Sequence, residues 1–182
     1  MGNLGNLDKV PTEYPLALQT GAEYVMRVHF FGPSLKRTPW WVKRARLKFT
    51  HCAIQLGPYM LEIPAGGRCD LYDARQLLQD RIETEPRDWY CLQITRSDLD
   101  IEMLLEGIEW LIGKKCQRLI TVLRYLHLWP REAINCVTPV KVILYVFGFQ
   151  VRGEIPDDIL TDITAGLAAY RAAPDPAARQ LD

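Results

Sequence analysis

The sequence has no excess of charge of either sign and no long apolar run. Its 182 residues include 22 basic and 22 acidic side chains, for a formal net charge of +0 at pH 7. Nucleic-acid-binding proteins usually carry a basic excess, so the composition argues against a nucleic-acid partner. A transmembrane segment needs roughly 20 apolar residues, and the apolar run 140–147 is too short. The first residues lack the charged, apolar and small-residue segments of a signal peptide, so we expect none.

The cysteines form neither a disulfide framework nor a zinc motif. Their count is odd, they are not closely paired, and no Cys-x-x-Cys spacing occurs; they are Cys52, Cys69, Cys91, Cys116 and Cys136. Secreted disulfide scaffolds and zinc sites have the opposite features. We therefore expect reduced thiols in a cytoplasmic or assembly-compartment protein, with no metal and no cofactor. Because free cysteines are usually inert core residues, we expect four of the five to be unreactive.

What the sequence does contain is an ordinary globular composition, 48% hydrophobic and 24% charged. That composition and length suit one domain with its own core. Residues 1–22 are rich in turn-forming residues and show no lasting period, which favours an N-terminal arm. Residues 23–171 form the expected single domain. Residues 172–182, rich in alanine, proline and charge, form the expected flexible tail.

The hydrophobic pattern predicts a mixture of strands and helices, which is an α+β class. The predicted strands are 23–31, 49–56, 59–63 and 89–94. Gly57 and Pro58 separate the second strand from the third and give the clearest hairpin signal in the chain. The predicted helices are 71–78, 97–113, 136–148 and 156–170, with Ser97 as an N-cap and Gly148 as a C-cap. The segment 117–128 fits either a further helix or an irregular crossover.

The segment 35–48 contains six cations and no acid, with two adjacent tryptophans in its middle. Cations interleaved with aromatic rings bind anionic polymers such as nucleic acid, a membrane surface or a cell-wall glycan. The simpler interpretation is a short amphipathic helix, 40–46, whose tryptophans pack and whose cations are solvated. The candidate anion-binding residues are Trp40, Trp41, Lys43, Arg44 and Arg46.

The candidate catalytic residues are a histidine on one strand, an acid on the next strand and a cysteine at a later helix start. His51 and Glu62 lie on opposite arms of the hairpin, and the turn makes positions whose numbers sum to about 115 face each other. The residue numbers of His51 and Glu62 add up to slightly less than this value, so we expect the two side chains to be nearly opposite each other and within reach of a hydrogen bond. Cys136 opens an apolar run, where unpaired N–H groups and the helix dipole favour a thiolate.

These three residue types are the parts that papain-type chemistry needs: a thiolate that attacks a carbonyl, an imidazole that moves the proton and a polar group that holds the imidazole. Each residue alone has a simpler explanation, because a strand histidine or an isolated cysteine is more often packed than reactive. The combination carries the prediction. The other histidines, His29 and His127, have no acid or hairpin partner close in sequence.

Short motifs at these positions resemble a known family. The motifs are Thr-His-Cys-Ala-Ile-Gln-Leu-Gly at 50–57, Met-Leu-Glu-Ile at 60–63, Asn-Cys-Val at 135–137 and Phe-Gly-Pro-Ser at 31–34. They are similar to the hairpin, nucleophile segment and early loop of the permuted papain-like cysteine hydrolases. These hydrolases belong to the NlpC/P60 superfamily, on its YiiX-like and lecithin:retinol acyltransferase-like side. Histidine, acid, then cysteine is the order of this permuted branch, and the resemblance covers residues 24–150.

The resemblance implies a papain-like fold, in which a small antiparallel sheet packs against helices. It implies Cys136 as the nucleophile, His51 as the general base and Glu62 as the residue that orients the imidazole. For the oxyanion we expect the Cys136 backbone N–H and one more donor, either the Asn135 side chain or an amide near Thr50. Many relatives carry Cys-Ser-Glu where this chain has Cys-Val-Thr-Pro, which leaves the substrate open.

The resemblance further implies cleavage of an amide or ester bond through a thioester acyl-enzyme. Members of the family act on peptides, peptidoglycan peptides or lipid acyl groups, and many occur in bacteriophages, which favours a virion-associated or cell-wall-directed protein. The alternative is a catalytically silent structural or packaged virion component with the same fold, whose residues 1–22 contact other virion proteins. A third, weaker role is the binding of an anionic polymer through 35–48.

Overall fold

The computed structural model describes residues 23–33, 40–84, 88–126 and 134–172. One antiparallel sheet of five strands, in the order β4-β3-β2-β1-β5, organises these residues. Helices pack on both faces of the sheet, so the expected α+β class is confirmed. The strands are β1 Tyr24–Phe31, β2 His51–Leu56, β3 Tyr59–Glu62, β4 Asp70–Asp73 and β5 Trp89–Arg96.

Six helices accompany the sheet in the described ranges: α1 Trp40–Ala45, α2 Ala74–Thr84, α3 Ile101–Leu111, α4 Arg118–Tyr125, α5 Val137–Val146 and α6 Pro156–Ala172. Within those ranges, no helix combines the length and the apolar character that crossing a membrane requires. The predicted arm, 1–22, lies outside the described residues, as does the predicted tail beyond residue 172. The segment 117–128, which the pattern left open, is helical over α4.

The β2–β3 hairpin forms as the sequence predicts. Gly57 takes a φ of 57°, in the left-handed region that glycine adopts without a Cβ clash. The register pairs Leu56 with Tyr59 and Ile54 with Leu61. By this register Glu62 lies opposite Ala53, so His51 and Glu62 are diagonal neighbours two positions apart on the same face of the sheet. The turn therefore brings these two side chains together without help from the rest of the chain.

The two faces of the sheet carry different helices. Alternate residues of β1 and β2, such as Val28 and Ile54, face a large core formed with α3, α5 and α6. The opposite set, including Phe31 and Ala53, packs against α2 in a smaller cluster. Helix α5 is held on the large core by buried apolar residues three and four positions apart: Val137, Val140, Ile143 and Leu144. Each such side chain contributes about 1.5–3 kcal/mol when it leaves water, so the start of α5 is fixed against β2.

Two of the predicted boundaries are wrong. The predicted helix 71–78 begins as strand β4, because Asp70–Asp73 pairs with β3 along the sheet edge; α2 starts at Ala74, where the Asp73 carboxylate accepts the N–H of Gln76. The predicted N-cap of the next helix, Ser97, lies outside it. Asp100 is the N-cap, and its carboxylate accepts the N–H of Met103 at 2.9 Å.

Candidate active site

The hairpin places His51 and Glu62 in direct contact. The distance from His51 Nε2 to Glu62 Oε2 is 3.0 Å, so the contact expected from the hairpin register is present. Only 2% of Glu62 is exposed, and 13% of the His51 side chain. Phe31 packs against the His51 ring, with 5.9 Å between the ring centroids. The imidazole is thus held by a hydrogen bond at one nitrogen and by an aromatic contact.

Arg81 reaches this pair from α2. Its Nη2 donates to both oxygens of Glu62, at 2.7 Å to Oε1 and 2.8 Å to Oε2, and its guanidinium lies over the Phe31 ring at 4.9 Å. Burial by itself would raise the pKa of Glu62, but the Arg81 charge and the His51 contact lower that pKa to about 2. Glu62 is therefore a carboxylate at neutral pH and a permanent acceptor for the imidazole.

Asn135 and Thr138 set the position of Cys136 at the start of α5. The Asn135 Oδ1 accepts the Val137 N–H at 2.8 Å, and the Thr138 hydroxyl oxygen accepts the Asn135 N–H at 3.1 Å. This reciprocal pair caps the helix, and Cys136 lies between its two members. The thiol is thus fixed at the positive end of the α5 dipole, which favours the thiolate over the neutral thiol.

The Cys136 thiol and the His51 ring are close enough to shift each other's pKa. Since the His51 Nε2 faces Glu62, Nδ1 is the ring nitrogen left for the sulfur. The pKa of Cys136 lies well below its ordinary value, because a hydrogen bond from Cys52 and then the His51 contact outweigh burial. Burial and the Arg81 charge act to lower the pKa of His51, but Cys136 and Glu62 raise it overall. Both directions favour a thiolate–imidazolium pair at neutral pH.

Cys52 is a second thiol at the same point. Its Sγ donates to the carbonyl oxygen of Cys136 at 3.4 Å, and the two thiols are close enough to shift each other's pKa. Burial, followed by the contact with Cys136, raises the pKa of Cys52 well above its ordinary value. The pKa values of the two neighbouring thiols are thus shifted in opposite directions.

The two expected oxyanion residues differ in what they can donate. The Thr50 N–H donates to the Phe31 carbonyl at 2.9 Å, so this amide is occupied. Asn135 is 2% exposed, and its Nδ2 has no hydrogen-bond partner among the described residues. A buried amide donor usually has a partner, and leaving one unpaired costs about 1–3 kcal/mol. The Asn135 amide is therefore a donor without a partner among the described residues, one residue before Cys136.

The other predicted binding residues lie on a different element. Trp40, Trp41, Lys43 and Arg44 belong to α1, and Arg46 follows it. Trp41 packs on the small cluster of Val42 and Leu47, as the simpler interpretation of this segment expects. Trp40 is 70% exposed, and all three cations are exposed as well. An exposed aromatic ring beside three exposed cations also keeps the anion-binding interpretation open.

His29 has a structural role. It is buried, its Nε2 lies 3.0 Å from Gln55 Oε1, and its Nδ1 accepts the Trp89 indole N–H at 3.2 Å. Both nitrogens are thus occupied, and burial, the largest influence, lowers the pKa of the ring. His29 is therefore a poor candidate for a catalytic base. His127 lies outside the described residues.

The sequence interpretation missed Arg81 and Cys52. Arg81 lies four residues after Leu77, which is buried against the sheet, so helical spacing pointed its side chain toward the same face. Cys52 follows His51 on a strand, so alternation pointed its thiol toward the large core and α5. A surface groove of about 720 Å³ lies along α3 and the later part of α5. Neither His51, Glu62 nor Cys136 lines that groove, so it is separate from this site.

The comparisons with known proteins show no relative of this chain. No protein family, no curated protein and no solved structure matches the chain. In the described part of the chain, no group of three or more side chains is arranged to hold a metal ion. The chemistry of the site therefore depends on the contacts among Cys136, His51, Glu62 and Arg81.

Proposed function

We propose that the protein is a thiol hydrolase that cleaves an amide or ester bond through a thioester acyl-enzyme. Cys136 is the nucleophile, His51 is the general base and acid, and Glu62 orients the imidazole. One observation carries the proposal: the His51 ring lies 3.0 Å from the Glu62 carboxylate on one side and beside the Cys136 thiol on the other. A base joined to a nucleophile on one side and to a fixed carboxylate on the other is the arrangement that activates a thiol.

In the acylation step, the Cys136 thiolate attacks the carbonyl carbon of the substrate. The new C–S bond forms as the carbonyl electron pair moves onto oxygen. When that pair returns, the bond to the leaving amine or alcohol breaks, and His51 gives the leaving group its proton. Glu62 stabilises the charged ring before this transfer and keeps the ring facing the sulfur afterwards. The product is a thioester on Cys136 and a neutral imidazole.

In the deacylation step, the neutral imidazole removes a proton from water. The resulting hydroxide attacks the thioester carbonyl, the C–S bond breaks, and Cys136 leaves as a thiolate. His51 ends the cycle protonated, next to the restored thiolate. The low pKa of Cys136 helps here, because a weakly basic thiolate is a good leaving group.

The Asn135 amide is the proposed oxyanion donor. Both tetrahedral intermediates carry a negative oxygen, and a preorganised N–H donor near that oxygen lowers both barriers. The Asn135 Nδ2 is buried beside the nucleophile and has no other partner among the described residues. Its Oδ1 stays engaged with the Val137 N–H, so the amide plane is fixed before substrate binds.

The proposed fold is the permuted papain-like one, and the proposed substrates are peptides, peptidoglycan peptides or lipid acyl groups. The chain order of histidine, acid and cysteine supports this fold. So does a nucleophile helix that packs on the histidine strand. A virion-associated or cell-wall-directed role is part of the same proposal, and the exposed cations of α1 suit an anionic wall or lipid surface.

The test is to trap the acyl-enzyme. The protein is mixed with a p-nitrophenyl ester series and with acylated peptide amides, quenched in acid, and its intact mass is measured. We expect one acyl group per chain, mapped to the tryptic fragment 132–141 that contains Cys136. The variant Cys136→Ala should give no adduct and no turnover, while the matched control Cys91→Ala keeps both. Labelling spread equally over several cysteines, with no turnover of any substrate, would leave the silent virion component as the better account.

A further inference from the structure

The paired sulfurs of Cys52 and Cys136 have a geometry that hydrolysis does not require. Cys52 lies on β2, fully buried against α5, and donates to the Cys136 carbonyl oxygen at 3.4 Å. Both side chains are buried in the same cluster, although the residues are 84 positions apart in the chain. The fold therefore brings two reduced thiols together at a helix N-terminus.

The two thiols differ in reactivity. Cys136 is buried, with 6% of its surface exposed, and the Cys52 contact, then the His51 contact, lower its pKa well below the ordinary range. A thiolate of this kind reacts with peroxides, whereas a protonated buried thiol does not. Burial is the main reason that the pKa of Cys52 is raised, and the negative Cys136 sulfur raises it further. Cys136 is thus the thiol that reacts first with a peroxide, and Cys52 stays protonated until the second step.

We propose that Cys52 and Cys136 form an oxidative modification site, at which a hydroperoxide converts the pair into a disulfide. The Cys136 thiolate attacks one oxygen of hydrogen peroxide; the O–O bond breaks, an S–O bond forms, and the departing hydroxide takes the proton of the His51 imidazolium and leaves as water. The Cys52 sulfur then attacks the Cys136 sulfur; the S–O bond breaks and the S–S bond forms. The departing hydroxyl takes the Cys52 proton as a second water. In total, two thiols lose two electrons and one peroxide is reduced.

The order of the two steps follows from the difference between the two thiols. Cys52 is buried and protonated, so it attacks only after the Cys136 sulfur carries a hydroxyl that can leave as water. Cys69 and Cys91 give no equivalent first step, because burial, as the main cause, raises the pKa of Cys69 to about 12 and raises that of Cys91 as well.

The consequence of the modification is a reversible block of Cys136. A sulfenic acid without a nearby thiol goes on to sulfinic acid, which ordinary thiol reductants do not restore. A disulfide to Cys52 prevents that loss, and it is reversed by exchange with an added thiol. The inference requires only the sulfur contact and peroxide, so it holds or fails separately from hydrolysis.

The experiment treats the reduced full-length chain with hydrogen peroxide at about one to ten equivalents and follows its intact mass. We expect a loss of about 2 Da, reversed by dithiothreitol. Tryptic mapping without reduction should join fragment 49–68, which contains Cys52, to fragment 132–141, which contains Cys136. A disulfide that joins Cys136 to any other cysteine would overturn the proposal, as would gain of oxygen with no loss of hydrogen.

The matched variants are Cys52→Ala and Cys91→Ala. In Cys52→Ala we expect gains of about 16 and 32 Da on fragment 132–141, which dithiothreitol does not fully reverse. Cys91→Ala should behave as the natural sequence does. Equal rates of sulfinic acid formation with and without Cys52 would contradict the proposal. If Cys52→Ala does not fold, the fragment map of the natural sequence decides the question alone.

Discussion

Arg81 holds Glu62 as a carboxylate at the back of the site. The Arg81 Nη2 lies 2.7 Å from Oε1 and 2.8 Å from Oε2, while the His51 Nε2 lies 3.0 Å from Oε2. A buried carboxyl group without such a partner takes up a proton, because burial penalises its charge. A protonated Glu62 would be a poorer acceptor for the imidazole. The guanidinium thus acts on Cys136 through two intermediate residues.

Replacing Arg81 with methionine should weaken both stability and hydrolysis. Breaking a buried ion pair typically costs about 3–5 kcal/mol, and Arg81→Met leaves the Glu62 charge without its main partner. We expect a fall of this order in the free energy of unfolding, and a lower kcat that recovers in part at higher pH, where Glu62 ionises again. Arg75, an exposed arginine on the same helix, is the matched control. Arg75→Met should change stability by less than about 0.5 kcal/mol.

The stability of the protein should fall at acidic pH in the way that the low pKa of Glu62 predicts. Its folded-state pKa of about 2 is lower than the ordinary 4.5, so its contribution is fully present above pH 4.5 and is lost as the pH falls toward 2. The shift corresponds to roughly 3 kcal/mol. Denaturant titrations at a series of pH values should show this loss in the natural sequence. In the double variant Glu62→Gln, Arg81→Met the same pH interval should show a clearly smaller loss, and an unchanged acid profile would contradict the assignment.

Two roles of Asn135 can be tested separately: its Oδ1 caps α5, and its Nδ2 is the proposed oxyanion donor. Asn135→Ser keeps a side-chain oxygen able to cap the Val137 N–H, but it removes the amide donor. We expect Asn135→Ser to lower kcat by about 10²–10³ and to change the melting temperature little. Asn135→Ala removes the cap as well, and should lose about 1 kcal/mol of stability in addition. A fall in kcat that simply follows the loss of stability across both variants would argue against an oxyanion role.

The exposed cations of α1 give a separate prediction about binding. Changing Lys43, Arg44 and Arg46 to glutamine should weaken retention on immobilised polyphosphate between about 50 and 200 mM salt, with a shallower dependence on salt. Turnover of a small neutral ester should not change, since these residues lie on a different element from Cys136. Retention that is unaffected by the triple change would favour the simpler interpretation, in which α1 packs through Trp41 and its cations are only solvated.

Local chemistry explains which features the sequence was able to predict. Gly57 and Pro58 determine the hairpin, and the hairpin determines that His51 and Glu62 meet. The start of α5 follows from the apolar run after Cys136 and from Gly148, which ends the helix with a φ of 81°. These features depend on residues that are neighbours in the chain, so patterns of period 2 and 3.6 detect them.

Features that depend on two distant segments escaped prediction. Helical spacing turns Arg81 toward the sheet, but nothing in the sequence states that its partner there is Glu62, 19 positions earlier. The local sequence of β4 favours a helix only weakly, and pairing with β3 makes this segment a strand. Asp100 rather than Ser97 is the helix cap because β5 continues to Arg96, where it pairs with Tyr24 of β1, and the helix begins later. In each case a tertiary contact decided between two locally acceptable outcomes.

The central claim is that Cys136 is a thiolate paired with the His51 imidazolium, and its alkylation as a function of pH tests that claim most directly. The protein is treated with iodoacetamide from about pH 5 to pH 9, and the alkylation rate of each cysteine is read from its tryptic fragment. We predict that Cys136 reacts at a nearly constant rate down to acidic pH, and that His51→Ala shifts its profile upward toward that of an ordinary thiol. A Cys136 profile that titrates near pH 9 in the natural sequence, unchanged by His51→Ala, would contradict the account.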